Sequence, residues 1–146
     1  MIRAISLLSA ILGAMLAIAA AGLLLVHEVD SAFASVFPMP FLVLLEWAAF
    51  GIAGAVSIIR TELRSDISHL RAAWGIVGGY VPLIYLGALS IGSLALISAV
   101  LLFGPTLLLT LRSRLPIMRH LAILGIGAIG NLVLLFAFIA LARVVR

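Results

Sequence analysis

Glu46 is the residue whose type and position most demand a chemical explanation. It stands inside "FLVLLEWAAF", residues 41–50, a run whose other side chains belong in hydrocarbon. A carboxyl group at that depth has two uses. As a neutral acid it donates to a carbonyl and staples two helices. Ionised beside a water path, it carries protons or holds a cation, and acids inside membrane segments mark ion and proton sites often enough to make that the default hypothesis. Glutamate is too short to reach water from mid-membrane, so Glu46 is expected to face protein or a polar cavity. Counted from the outer edge of its helix, Glu46 lies ~10 Å deep and Tyr85 of the following span ~7 Å deep. Tyr85 is therefore the first expected partner, and Asn131, near the middle of the last span, the second.

The remaining reactive residues carry weaker signals. His27, His69 and His120 all fall at predicted span ends. A b-type haem needs two ring nitrogens converging on one iron, and neither His69 nor His120 lies inside a span, so no cofactor is expected. His27, Glu28 and Asp30 read as solvated loop charges, and no metal is expected. "GIGAIG" at Gly125 to Gly130 matches a dinucleotide fingerprint in letters only, since no strand precedes it and no acid follows about 20 residues on. H-E-x-x-H, G-x-S-x-G and paired carboxylates at one depth are all missing from the sequence. There is no cysteine, which removes thiol chemistry and disulfides. The net charge of +4 comes entirely from arginine, and no basic patch alternates with aromatics, so nucleic acid is not an expected partner.

The elements that must position these residues follow from composition. Of 146 residues, 66% are hydrophobic and 10% charged. A soluble domain of this length has too much surface to hide so much apolar side chain, so the bilayer is the expected solvent and partner. The sequence predicts an all-α, polytopic transmembrane helix bundle forming a single integral membrane domain over residues 1–146. A span needs about 20 apolar residues. Five are expected, at about 4–26, 39–59, 72–89, 94–111 and 121–142. The first exceeds a signal-peptide core of about 7–15 residues and reads as uncleaved. Pro38 and Pro40 launch the second. "RTELRSDISHLR" reads as a surface-lying amphipathic turn or as an extension of that second span. Residues 72–111 carry no charge. A single helix of that length would measure ~60 Å, twice the hydrocarbon core, so the chain must fold back, best at Ser90 to Ser93. Arg3, Arg60, Arg64, Arg71, Arg112, Arg114 and Arg119 then share one side, and the positive-inside rule puts that side and the N-terminus in the cytoplasm. Arg143 and Arg146 fall opposite, which keeps open four spans with one middle segment re-entrant. The absence of lysine reads as a GC-rich genome, and a prokaryotic cell membrane is the expected location.

Packing signals complete the reading. Small residues let membrane helices approach closely. Gly75 and Gly79 have that spacing in the third span, Gly127 and Gly130 share a face with Asn131 in the fifth, and Ser6, Ala10, Gly13, Ala17 and Ala21 form a stripe on the first. Pro82 and Pro105 are expected to kink the third and fourth spans. The smooth second span is the expected central helix. Three function classes remain. An accessory or structural subunit of a larger membrane complex accounts best for the short loops and small-residue faces. An oligomeric proton- or cation-coupled transporter or channel using Glu46 comes second. A membrane enzyme comes third, without a positive feature in its favour.

Overall fold

In the computed structural model, residues 2–28, 39–86 and 92–144 are described. They form five α-helices: α1 Ile2–Glu28, α2 Met39–Arg64, α3 Ile67–Leu86, α4 Gly92–Arg112 and α5 Ile117–Val144. The fold is all-α, as the composition requires. Four of the helices, α1, α2, α4 and α5, are long and apolar enough to cross a membrane. The third, α3, is continuous over 20 residues, ~30 Å, and shows no re-entrant break. It is less apolar because it carries His69, Arg71, Trp74, Tyr80 and three glycines. It is also deeply enclosed, with Leu70, Ala73, Trp74, Val77, Tyr80 and Leu83 buried.

The helices are longer at their basic ends than expected, and the reason is local. "RTELR" continues α2 to Arg64, so the extension reading holds and the surface-turn reading does not. The stop is at Ser65, whose φ of 55° is left-handed and whose N–H donates to the Thr61 carbonyl at 2.9 Å. Asp66 then caps α3, its Oδ1 accepting the Ser68 N–H at 2.8 Å. That cap starts α3 at Ile67, five residues before the expected 72. The reversal between α4 and α5 works similarly. Arg114 takes a φ of 51°, and the Ser113 and Leu115 N–H groups donate to the last α4 carbonyls. Of the expected turn at Ser90 to Ser93, Ser90 and Ile91 lie outside the described residues, while Gly92 and Ser93 already belong to α4.

Centrality is shared. Helix α2 packs on α1, α3 and α4 and lightly on α5, while α3 packs on α2, α4 and α5. Small residues set these approaches. On α1, Ser6, Ala10, Gly13, Ala17 and Ala21 are all buried. A side chain at Gly51 would meet the Ala17 Cβ at 2.6 Å, and one at Gly13 would meet Leu101 and Leu102 at 3.1–3.2 Å. The α3–α5 seam is closer still. A Cβ on Gly127 would run into the Gly75 carbonyl, and one on Gly78 into the Leu124 carbonyl. Gly79 lies against the Phe50 ring of α2. Gly130 does not belong to this seam. It is exposed, and a side chain there would meet open space. Three residues past Gly127 it has turned about 60° away from α3, enough to clear the seam.

Pro82 and Pro105 sit inside continuous helices. Proline at 105 deprives the Leu101 carbonyl of its N–H partner four residues on. Ser9 of α1 replaces it, donating its hydroxyl to Leu101 O at 2.7 Å. A backbone defect in α4 thereby becomes a cross-link to α1.

Candidate functional site

Glu46 is buried, 7% exposed, and neither carboxylate oxygen accepts a hydrogen bond from any described residue. The helix that holds it is built for close contact. Gly54, two turns further along α2, lies against the Leu102 methyls of α4, and Phe50, one turn along, packs on Tyr80 of α3 with ring centroids 6.1 Å apart. Both α2 and α4 run toward the basic end, so the Gly54–Leu102 register brings Phe50 level with Ser98 and Glu46 one turn beyond. This stretch holds further polar atoms that are buried without partners: Trp47 Nε1, the Tyr80 hydroxyl, the Ser98 hydroxyl and Asn131 Oδ1.

The expected partners of Glu46 lie elsewhere. Tyr85 is 81% exposed and makes no bond to it. Depth matched but face did not. Tyr80 continues the buried α3 stripe Leu70–Ala73–Val77, whereas Tyr85 lies two residues past buried Leu83, about 200° around the helix. Asn131 donates its Nδ2 to the Gly79 carbonyl, so it ties α5 to α3 and not to Glu46. The structure thus brings Gly75, Gly79, Gly127 and Asn131 into one seam, leaves Gly130 and Tyr85 outside it, and places Pro82 and Pro105 in buried positions on α3 and α4.

A second polar region lies at the arginine-rich end, where no site was expected. Glu62 has a side chain only 3% exposed, and its Oε2 lies 3.8 Å from Arg3 Nε and 3.6 Å from Arg112 Nη1. The three residues join the ends of α1, α2 and α4. Beside them is a cavity of about 200 Å³ lined in part by Thr61, Glu62, Ser65, Asp66, Arg112 and Ser113. The Ser68 N–H and the neighbouring charges of His69 and Arg64 hold the Asp66 carboxyl below the usual carboxylate range. Deeper in, Trp74 Nε1 donates to the Thr110 hydroxyl at 2.8 Å, which itself donates to Thr106 O at 2.9 Å, and Thr106 donates to Leu102 O at 2.7 Å. His120 packs on Trp74 with centroids 5.8 Å apart, its Nδ1 3.1 Å from Pro116 O. His69 lies instead beside Asp66, at 3.8 Å, so the two histidines serve different neighbours. Among the described residues no group of three or more His, Asp or Glu side chains is placed to hold a metal ion. The side chains of His27, Glu28 and Asp30 lie outside the described residues.

Glu62 carried a signal that the sequence reading passed over. The buried α2 stripe Leu44–Trp47–Gly51–Ala55–Ile58 advances by three or four residues, and its next step is Glu62. Arg60 interrupts the hydropathy but not the period.

The bundle and its apolar helices fit a small integral membrane protein. No known protein family, curated protein or solved structure matches the chain.

Proposed function

We propose that this small membrane protein takes up a proton or a small cation at Glu46, within the span. The observation that carries the reading is the pair of buried carboxylate oxygens with no donor. A helix staple needs a partner, and the two candidates from the sequence are exposed or bonded elsewhere. A buried polar group without one destabilises the fold by roughly 1–3 kcal/mol, more when charged. A proton or cation removes that penalty. The arginine-rich end is cytoplasmic in this reading.

The test is proton flux into proteoliposomes under an imposed pH gradient, with parent and Glu46→Gln protein. The amide keeps the shape of the acid and cannot titrate. Flux above that of empty liposomes in the parent and at their level in the variant supports proton uptake. Equal flux in both ends the proton reading, and a sodium or potassium gradient then tests the cation.

The accessory-subunit reading stands second, favoured by α5. Only 11% of its most apolar window is buried, and Ile126, Ile129, Val133 and Phe136 face outward. Lipid or the helix of a larger assembly covers that face. A different polypeptide retained with the chain in native mass spectrometry supports the assembly; a pure homo-oligomer counts against it.

A further inference from the structure

The cavity at the arginine-rich end belongs to no part of the Glu46 reading, and its lining is unusual in carrying both signs of charge. Glu62, Asp66 and Arg112 line it together with Ser65, Ser113 and Leu109. Glu62 is the informative member. Its side chain is almost fully buried, yet among the described residues it accepts no hydrogen bond, and its arginine neighbours stay at 3.6 and 3.8 Å, beyond hydrogen-bond distance. Ion-paired but not hydrogen-bonded, this carboxylate lines the cavity with acceptor capacity that a donor from outside can use. Arg112, with its side chain 64% exposed, keeps most of its five N–H donors free for an acceptor.

We propose that this cavity seats a headgroup that carries a primary ammonium next to a phosphate, as in phosphatidylethanolamine. The ammonium donates to Glu62 and Asp66, and the phosphate accepts from Arg112 and the serine hydroxyls. The volume, about 200 Å³, is room for a small headgroup. The location fits a lipid. The cavity lies where α2 and α4 end and α3 begins, the level at which a bilayer changes from chains to headgroups. Ile67, on its rim, is 44% exposed and offers apolar contact to the start of an acyl chain.

The experiment is native mass spectrometry and thermal unfolding of the purified full chain in mild detergent, with equal amounts of phosphatidylethanolamine, phosphatidylcholine or phosphatidylglycerol. Methylation in phosphatidylcholine removes the N–H donors, and phosphatidylglycerol has no ammonium. Ethanolamine lipid is expected to be retained about tenfold over either, the worth of one charge-assisted hydrogen bond. Asp66→Asn is the companion variant, because asparagine caps a helix as well as aspartate and the fold survives. It is expected to lose most of that preference. Free O-phosphoethanolamine separates the sources. Stabilisation by it as strong as by the lipid supports the same site chemistry with a soluble ligand, and stabilisation by the lipid alone supports the membrane source. Equal retention of the three lipids by the parent, or an undiminished ethanolamine preference in Asp66→Asn, overturns the proposal.

Discussion

Glu46 and Glu62 are buried carboxylates on the same helix, and they differ in almost everything else. Sixteen residues apart, they are separated by ~24 Å along α2. Glu62 lies between two guanidinium groups whose outer faces reach solvent, so its charge is compensated and the ends of three helices are drawn together. Glu46 has no counter-charge among the described residues and no donor. One carboxylate has counter-charges within the chain and the other has none among the described residues. Burial alone therefore does not mark a working acid in a membrane bundle. The distinction lies in whether the fold supplies what the group lacks, and on α2 the two outcomes can be compared within one helix.

The largest effect expected on that comparison comes from the seam that encloses the Glu46 half. Gly127→Leu forces α5 off α3, because the new side chain would occupy the place of the Gly75 carbonyl. A loss of about 3 kcal/mol is expected, the upper end for overpacking. Gly130→Leu, three residues along on the same helix, should change stability little, since its position is open. Thermal unfolding in detergent reads both. Equal losses from the two variants would mean that α5 is held by some contact other than this seam.

The next effect is a difference of sign. Glu62→Leu strands Arg3 and Arg112 and should destabilise the protein. Removing one partner of a fully buried pair costs about 3–5 kcal/mol, and with both arginines half-exposed about 1–2 kcal/mol is expected here. Glu46→Leu removes an unpaired buried group and leaves no partner behind, so it should stabilise by about 1–2 kcal/mol. Denaturant unfolding of the two variants side by side is the measurement. A destabilised Glu46→Leu would reveal a structural partner for Glu46 and collapse the contrast.

The same pair shows where sequence reasoning reached and where it stopped. Helix number and the reversals near Ser65 and Arg114 were legible because hydrophobic length and proline or charge punctuation act locally. The α1 stripe from Ser6 to Ala21 and the Gly127 contact were legible because small residues leave a periodic trace. The face of Tyr85 was not. Depth follows from counting residues, but facing depends on which stripe of α3 the other helices cover, and that stripe runs through Leu70, Ala73, Val77 and Tyr80, not Tyr85. Glu62 was hidden for a different reason: neighbouring arginines made its segment read as a surface turn or a solvated helix extension, although the buried stripe of α2 runs through it. The partners of Glu62 come from α1 and α4, far away in sequence, and no local pattern announces them.

The smallest effect concerns the connection midway between the two carboxylates. Pro105 leaves the Leu101 carbonyl without its helical donor, and the Ser9 hydroxyl takes that place at 2.7 Å. Ser9→Ala should therefore cost about 1 kcal/mol, the usual net worth of one hydrogen bond. The sharper test is a cycle. Pro105→Ala restores the N–H at position 105, and the Leu101 carbonyl can then bond within α4. In that background Ser9→Ala should cost almost nothing, so the two substitutions should couple by about 1 kcal/mol. Equal costs of Ser9→Ala in both backgrounds would show that Ser9 contributes through packing and not by replacing the lost donor. A cycle that closes as expected ties α1 to α4 between the two acids, and any movement that exposes Glu46 must then either preserve that bond or break it. If the parent protein passes protons, repeating the flux measurement in Ser9→Ala protein distinguishes the two: unchanged flux means that the bond persists through proton passage, and faster flux means that its rupture limits it.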